Sequence, residues 1–79
     1  MKEFSVTYSG RNSRFSNKKF YVFAIDARAA VMQIVERYLD VFVQDHGDVL
    51  DCHGHLMASA DDDRVSYDCG YFEATEVSC

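Results

Sequence analysis

The chain has 79 residues, 48% apolar and 14% aromatic, with 27% charged residues and a formal net charge of −5. That length allows one domain with one modest core, and the apolar content excludes a disordered chain, because there is enough apolar surface to offset the entropy of ordering. No run of about 20 apolar residues occurs and Met1-Lys2-Glu3-Phe4 leads into alternating residues rather than an apolar leader, so we expect a cytoplasmic protein without a membrane span or secretory signal.

In "EFSVTYS" (3–9), Phe4, Val6 and Tyr8 alternate with Ser5, Thr7 and Ser9, the period of a half-buried strand. "GRNSRFSNKK" (10–19) is too polar and breaker-rich to continue it and reads as a hairpin loop carrying Arg11, Arg14, Lys18 and Lys19, with Phe15 at its tip. "FYVFAI" (20–25) is apolar on both faces, as expected of a central strand covered on both sides. A domain this small has one helix to cover one face, so Tyr21, Phe23 and Ile25 mark either a partner surface or a face covered by a loop, a terminus or a homodimer mate.

Asp26 is a residue type that accepts hydrogen bonds from the free amides of a helix start. Behind it, "ARAAVMQIVERYLDVF" (27–42) places Ala27, Ala30, Val31, Ile34, Val35, Tyr38 and Phe42 three and four residues apart, the stripe of an amphipathic helix packed on a sheet. Gly47 in "QDHGD" (44–48) reads as the glycine just past that helix, with His46 near its negative end.

"DVLDCHGHLMA" (48–58) and "RVSYDCGYFEATEV" (64–77) then read as two long strands joined by "SADDD" (59–63), with Gly54 and Gly70 as bulges or bends. A two-residue turn at His53-Gly54 with an additional short strand is the alternative. The expected architecture is one α+β domain over 1–79, in the order ββαββ, with an antiparallel sheet and one helix on one face.

"DCHGH" (51–55) gathers metal-ligand side chains. In a continuous strand Cys52 points away from Asp51, His53 and His55. If Ala58 lies opposite Arg64, His53 instead faces Cys69 and His55 faces Tyr67, a set that fits zinc. A one-residue slip abolishes it and could set Cys52 opposite Cys69, so no metal site is assigned. Cys52, Cys69 and Cys79 form an odd set without CxxC spacing and read as reduced thiols. No nucleophile motif, calcium loop or cofactor fingerprint appears, so neither catalysis nor a cofactor is expected.

The charge is divided along the chain. Residues 1–19 hold Lys2, Arg11, Arg14, Lys18 and Lys19 against Glu3, a balance of +4, whereas residues 20–79 hold Arg28, Arg37 and Arg64 against twelve acids, a balance of −9. An acidic field repels nucleic acid and attracts basic protein surfaces, which makes Asp61, Asp62, Asp63 and Asp68, with Tyr21 and Phe23, the expected partner-binding residues. Arg11, Arg14, Lys18 and Lys19 are the possible nucleic-acid contacts, with Phe15, Tyr8 or Tyr21 available to stack on bases.

"KKFYVFAIDARAAVMQIVERYL" (18–39), an F-x-V-x-A strand followed by an acidic helix cap and an Ala-rich amphipathic helix, is similar to several small phage-encoded anti-CRISPR proteins. The likeness covers these residues closely and the later strands only in order. It implies a non-enzymatic inhibitor that binds a bacterial CRISPR-Cas effector complex and blocks target-DNA binding or nuclease recruitment, as a monomer or homodimer in the bacterial cytoplasm. Such proteins differ greatly in sequence, so no binding residue carries over. A nucleic-acid-binding module using the 10–19 loop, or a His/Cys metal protein, are the alternatives.

Overall fold

The protein is described here by a computed structural model covering residues 1–77; Cys79, the third thiol, lies outside the described residues. Its elements are β1 (Lys2–Ser9), β2 (Lys19–Ala24), α1 (Ala27–Tyr38), β3 (Val41–Val43), β4 (Val49–Asp51), β5 (Leu56–Ala58), β6 (Val65–Tyr67) and β7 (Gly70–Glu76). They form a four-stranded antiparallel sheet in the order β2-β1-β7-β6 and a three-stranded one, β3-β4-β5. The class is α+β with one helix, as expected. The ββαββ order is corrected, because five strands follow the helix rather than two.

β1 behaves as its alternation requires. Phe4, Val6 and Tyr8 are buried under α1 together with Ala30, Val31, Ile34 and Val35 of the helix and Phe72 of β7. Glu3, Ser5 and Thr7 point to the other face, where no second layer lies among the described residues. The helix starts at the cap the sequence marks, with the Ala29 N–H donating to Asp26 Oδ1 at 2.8 Å.

α1 ends four residues before the end expected of it, at Tyr38. Leu39 is already extended (φ −116°, ψ 152°), and its N–H closes the last turn on the Val35 carbonyl at 2.9 Å. Val41 and Val43 are β-branched and pair with Asp51 and Val49, so ladder formation outcompetes helix extension there. Phe42, assigned above to the helical stripe, is consequently exposed.

The three hairpins after the helix explain why two long strands do not form. Asp45-His46-Gly47 connects β3 to β4, closed by the Gln44 N–H on the Asp48 carbonyl, with Gly47 at φ 103°. Cys52-His53-Gly54 connects β4 to β5 in the same way, closed by the Asp51 N–H on the His55 carbonyl, with Gly54 at φ 82°. A three-residue hairpin loop needs a left-handed residue at its end, and glycine supplies it without strain. Gly47 is therefore a hairpin glycine, not a helix terminator, and His46 sits in that turn rather than at the helix end. The additional short strand after His53-Gly54 is present, but the loop before it has three residues, Cys52-His53-Gly54, rather than the expected two.

The last hairpin is tighter. Tyr67 pairs with Gly70 across Asp68 and Cys69, both at positive φ (47° and 59°), as in a two-residue type I′ turn. Gly70 ends the turn and begins β7, and is not a bend inside one strand. A side chain there would meet the Ser9 carbonyl and the Gly10 Cα 2.5 Å away, so this approach of two backbones requires glycine.

Two further expectations change. β2 is an edge strand, not a central one; its inner residues Phe20, Val22 and Ala24 face the helix side while Tyr21, Phe23 and Ile25 are exposed. Phe15 is 2% exposed, not at a loop tip. The Asn12 carbonyl accepts the N–H groups of Phe15 and Ser16, and Asn12 Oδ1 accepts that of Arg14, a coil that turns the Phe15 ring inward. There it meets Tyr8, Tyr67, Phe72 and Tyr38 with centroids 5.1–6.4 Å away.

Candidate interaction surfaces

The uncovered face of the larger sheet follows from the register. Lys19, Tyr21 and Phe23 of β2 stand beside Thr7, Ser5 and Glu3 of β1, which stand beside Glu73 and Thr75 of β7. Tyr21 and Phe23 are 61% and 62% exposed, and Ile25 just beyond them is 72% exposed. On the far side of this face Arg64 donates to Glu73 Oε2 at 3.1 Å and lies over the Tyr71 ring. An aromatic edge thus borders a largely polar sheet surface.

The acidic residues do not form one cluster. Asp61, Asp62 and Asp63 occupy the β5–β6 connection, whereas Asp68 lies beyond the other end of β6 in the type I′ turn. Asp68 Oδ2 accepts from Asn12 Nδ2 at 3.1 Å, which ties it to the basic loop. Asp62 is structural: its carboxylate accepts the Ser59 N–H at 2.9 Å and its carbonyl accepts from Arg28. Asp61 and Asp63 are exposed and make no side-chain hydrogen bond or ion pair among the described residues.

Arg28 had no role in the sequence reading. Its guanidinium donates to the carbonyls of Ser59 (2.8 Å), Asp62 (2.6 Å) and Gly47 (2.6 Å), joining two turns to the first turn of α1. The signal was present, since a cation in a first helical turn opposes the helix dipole unless it reaches other acceptors. Asp48 completes the joint. Its Oδ2 lies 2.9 Å from His46 Nε2 and its Oδ1 accepts the Ala60 N–H at 2.9 Å. The His46 hydrogen bond, followed by the Ala60 bond and the nearby charges of His46 and Arg28, holds the Asp48 carboxyl below its ordinary value against a smaller desolvation effect.

"DCHGH" is a turn rather than a strand. Asp51 Oδ1 accepts the N–H groups of His53 (2.8 Å) and His55 (2.9 Å), and these bonds, that to His55 first, lower the Asp51 pKa. β5 pairs with β4 and β6 with β7, so the register that would set His53 opposite Cys69 does not form. No three His, Cys, Asp or Glu side chains come together as a metal-binding group among the described residues. Cys52 and Cys69 are free, exposed thiols on different turns, both lining an open cleft of about 1060 Å³ between the two sheets.

Of the basic residues, Arg14 lies over the Phe15 ring, 5.0 Å from its centroid. Arg11, Lys18 and Lys19 are exposed and make no ion pair among the described residues. The stacking partners assigned to them are reduced by burial: Tyr8 is 7% exposed and shares its hydroxyl between the Tyr67 and Asp68 carbonyls, and Phe15 is in the core. Tyr21 alone of the three presents a free ring.

Comparison with known protein families, with characterised proteins and with solved structures finds no match for this chain. No helix among the described residues is long and apolar enough to cross a membrane.

Proposed function

We propose that this chain is a non-enzymatic protein-binding inhibitor of the anti-CRISPR kind, which in a bacterial cytoplasm caps a basic, nucleic-acid-binding surface of a multi-subunit CRISPR-Cas effector. The observation that carries the reading is the uncovered sheet face with Tyr21 and Phe23 exposed at its edge, and the Asp61 and Asp63 carboxylates, exposed in the turn that Arg28 ties to α1, add a separate acidic feature. Aromatic anchors with a charged rim are the composition of a protein-recognition surface, and carboxylates compete with phosphates for lysine and arginine.

The test is binding of the purified chain to purified effector complexes, read by interferometry over a salt series and by protection of target DNA from cleavage. Paired substitution of Asp61 and Asp63 by Lys, sparing the structural Asp62, should weaken capture by about tenfold or more and flatten its salt dependence. Phe23→Ala should raise the dissociation rate. Capture that ignores all three substitutions, or retention of DNA by the chain alone through Arg11, Arg14, Lys18 and Lys19, would overturn the reading.

A further inference from the structure

The outer edge of β2 is an unpaired ladder, and its sequence is complementary to itself. The Val77 N–H donates to the Glu3 carbonyl, so Glu3 turns its backbone groups toward β7 and its register pair with Phe23 is the non-hydrogen-bonded kind. Phe23, and by the period of two Tyr21 and Lys19, therefore direct their N–H and C=O groups out of the sheet. Gln33 Nε2 donates to the Phe23 carbonyl at 2.7 Å, leaving that oxygen a second lone pair. No described strand pairs with this edge.

Natural edges are commonly blunted by proline, by a bulge or by charges along the strand. β2 has no proline and no register shift, and it carries one charge, at its first residue. Laid antiparallel on itself about Val22, residues 18–26 set Lys18 opposite Asp26 at both ends, Phe20 opposite Ala24, and Tyr21 opposite Phe23. Tyr21 and Phe23 are the residues whose backbone groups point outward, so this register makes them hydrogen-bonded pairs. Centring on Tyr21 instead sets Lys18 against Ala24 and loses both charge pairs. Phe20 and Val22 are only half-buried, so the inner face also remains open at this edge.

We propose that β2 is the seam of a two-fold homodimer, in which the edges of two copies join into one continuous eight-stranded antiparallel sheet. The two-fold axis runs through Val22 perpendicular to the sheet, which keeps both helices on one face. On the other face the paired Tyr21 and Phe23 rings of the two copies become neighbours and stay accessible. The dimer does not depend on the function proposed above and is tested without any partner.

Sedimentation velocity up to about 200 µM in low salt should show a concentration-dependent dimer, and backbone-amide exchange at Tyr21 and Phe23 should slow as concentration rises. Lys18→Glu sets like charges against Asp26 and should raise the dimer dissociation constant about tenfold, an effect that shrinks in high salt. Tyr21→Pro removes an outward N–H that serves no bond among the described residues and should abolish the dimer, with circular dichroism confirming the fold. Should that variant misfold, Lys18→Glu and the exchange data decide alone. A wild-type monomer throughout the range, or a dimer in which those two amides exchange as fast as in dilute solution, would overturn the proposal.

Discussion

Phe15 lies in a loop whose other residues are polar or charged, and its replacement by alanine is the sharpest test of the fold. The ring is 2% exposed and borders four aromatic rings, with Tyr67, Phe72 and Tyr38 edge-on to it. Removing a buried phenylalanine side chain costs about 3–5 kcal/mol through lost transfer energy and the cavity left behind. A domain of 79 residues has about 4–12 kcal/mol of stability in total, so Phe15→Ala should remove a quarter or more of it. Urea unfolding followed by circular dichroism reads this directly: at about 1 kcal/mol/M the midpoint should fall by about 3–5 M, or the chain should not fold. Phe15→Leu keeps most of the volume and loses the edge-to-face pairs, and should fall between the two proteins. Phe23→Ala is the control, because that ring is 62% exposed and its removal should change stability by no more than about 0.5 kcal/mol. Equal losses for Phe15→Ala and Phe23→Ala, or a loss under about 1 kcal/mol for the former, would refute the inward packing of the loop.

Cys69→Gly should stabilise the protein by about 0.5–1 kcal/mol in the same assay, because a non-glycine residue at φ 59° carries a left-handed penalty that outweighs the added flexibility of glycine; destabilisation would reject the type I′ turn. Acid should loosen the β3–β4 and β4–β5 hairpins. Asp48 and Asp51 have folded pKa values below the ordinary carboxylate value, so the folded chain binds fewer protons than the unfolded one in that interval. Their contribution is complete above the ordinary value, near pH 4, and is lost as pH falls through the lowered folded values. Urea midpoints measured from pH 7 to pH 2.5 should fall less steeply in acid for the paired Asp48→Asn and Asp51→Asn variant; an identical acid slope would remove these two carboxylates as the cause.

The features legible in the sequence were those in which one periodicity or one cap decides the outcome. β1 alternates because a single layer covers it, and α1 starts at Asp26 because only that residue supplies a side-chain acceptor at the right place. β2 was misplaced for an intelligible reason. An apolar strand is commonly a covered one, and sequence alone does not separate a covered outer face from one left open at an edge. The second half was obscured by turn chemistry. Both His-Gly pairs close three-residue loops, and the ligand-type side chains of "DCHGH" mask this, because its Asp51 serves as the acceptor that shapes the turn. Asp68-Cys69 has only half of the expected Asp-Gly signature, and with Gly70 following, the turn read as a bend one residue late.

Burying Phe15 also changes what the other aromatic residues mean. The loop ring, with Tyr8, Tyr38, Tyr67 and Phe72, fills one end of the space between helix and sheet, so that end of the core is complete without any contribution from the outer face of β2. Tyr21 and Phe23 then stabilise neither the core nor any contact within the described chain, and their exposure works against solubility. A strand that needed only to seal the sheet edge would be served by threonine or lysine at both positions, as β1 is served by Ser5 and Thr7 on the same face. Two bulky rings at a long edge that no described strand pairs with are therefore explained by association, and the backbone groups directed outward beside them make that association a matter of strand pairing as well as of side chains.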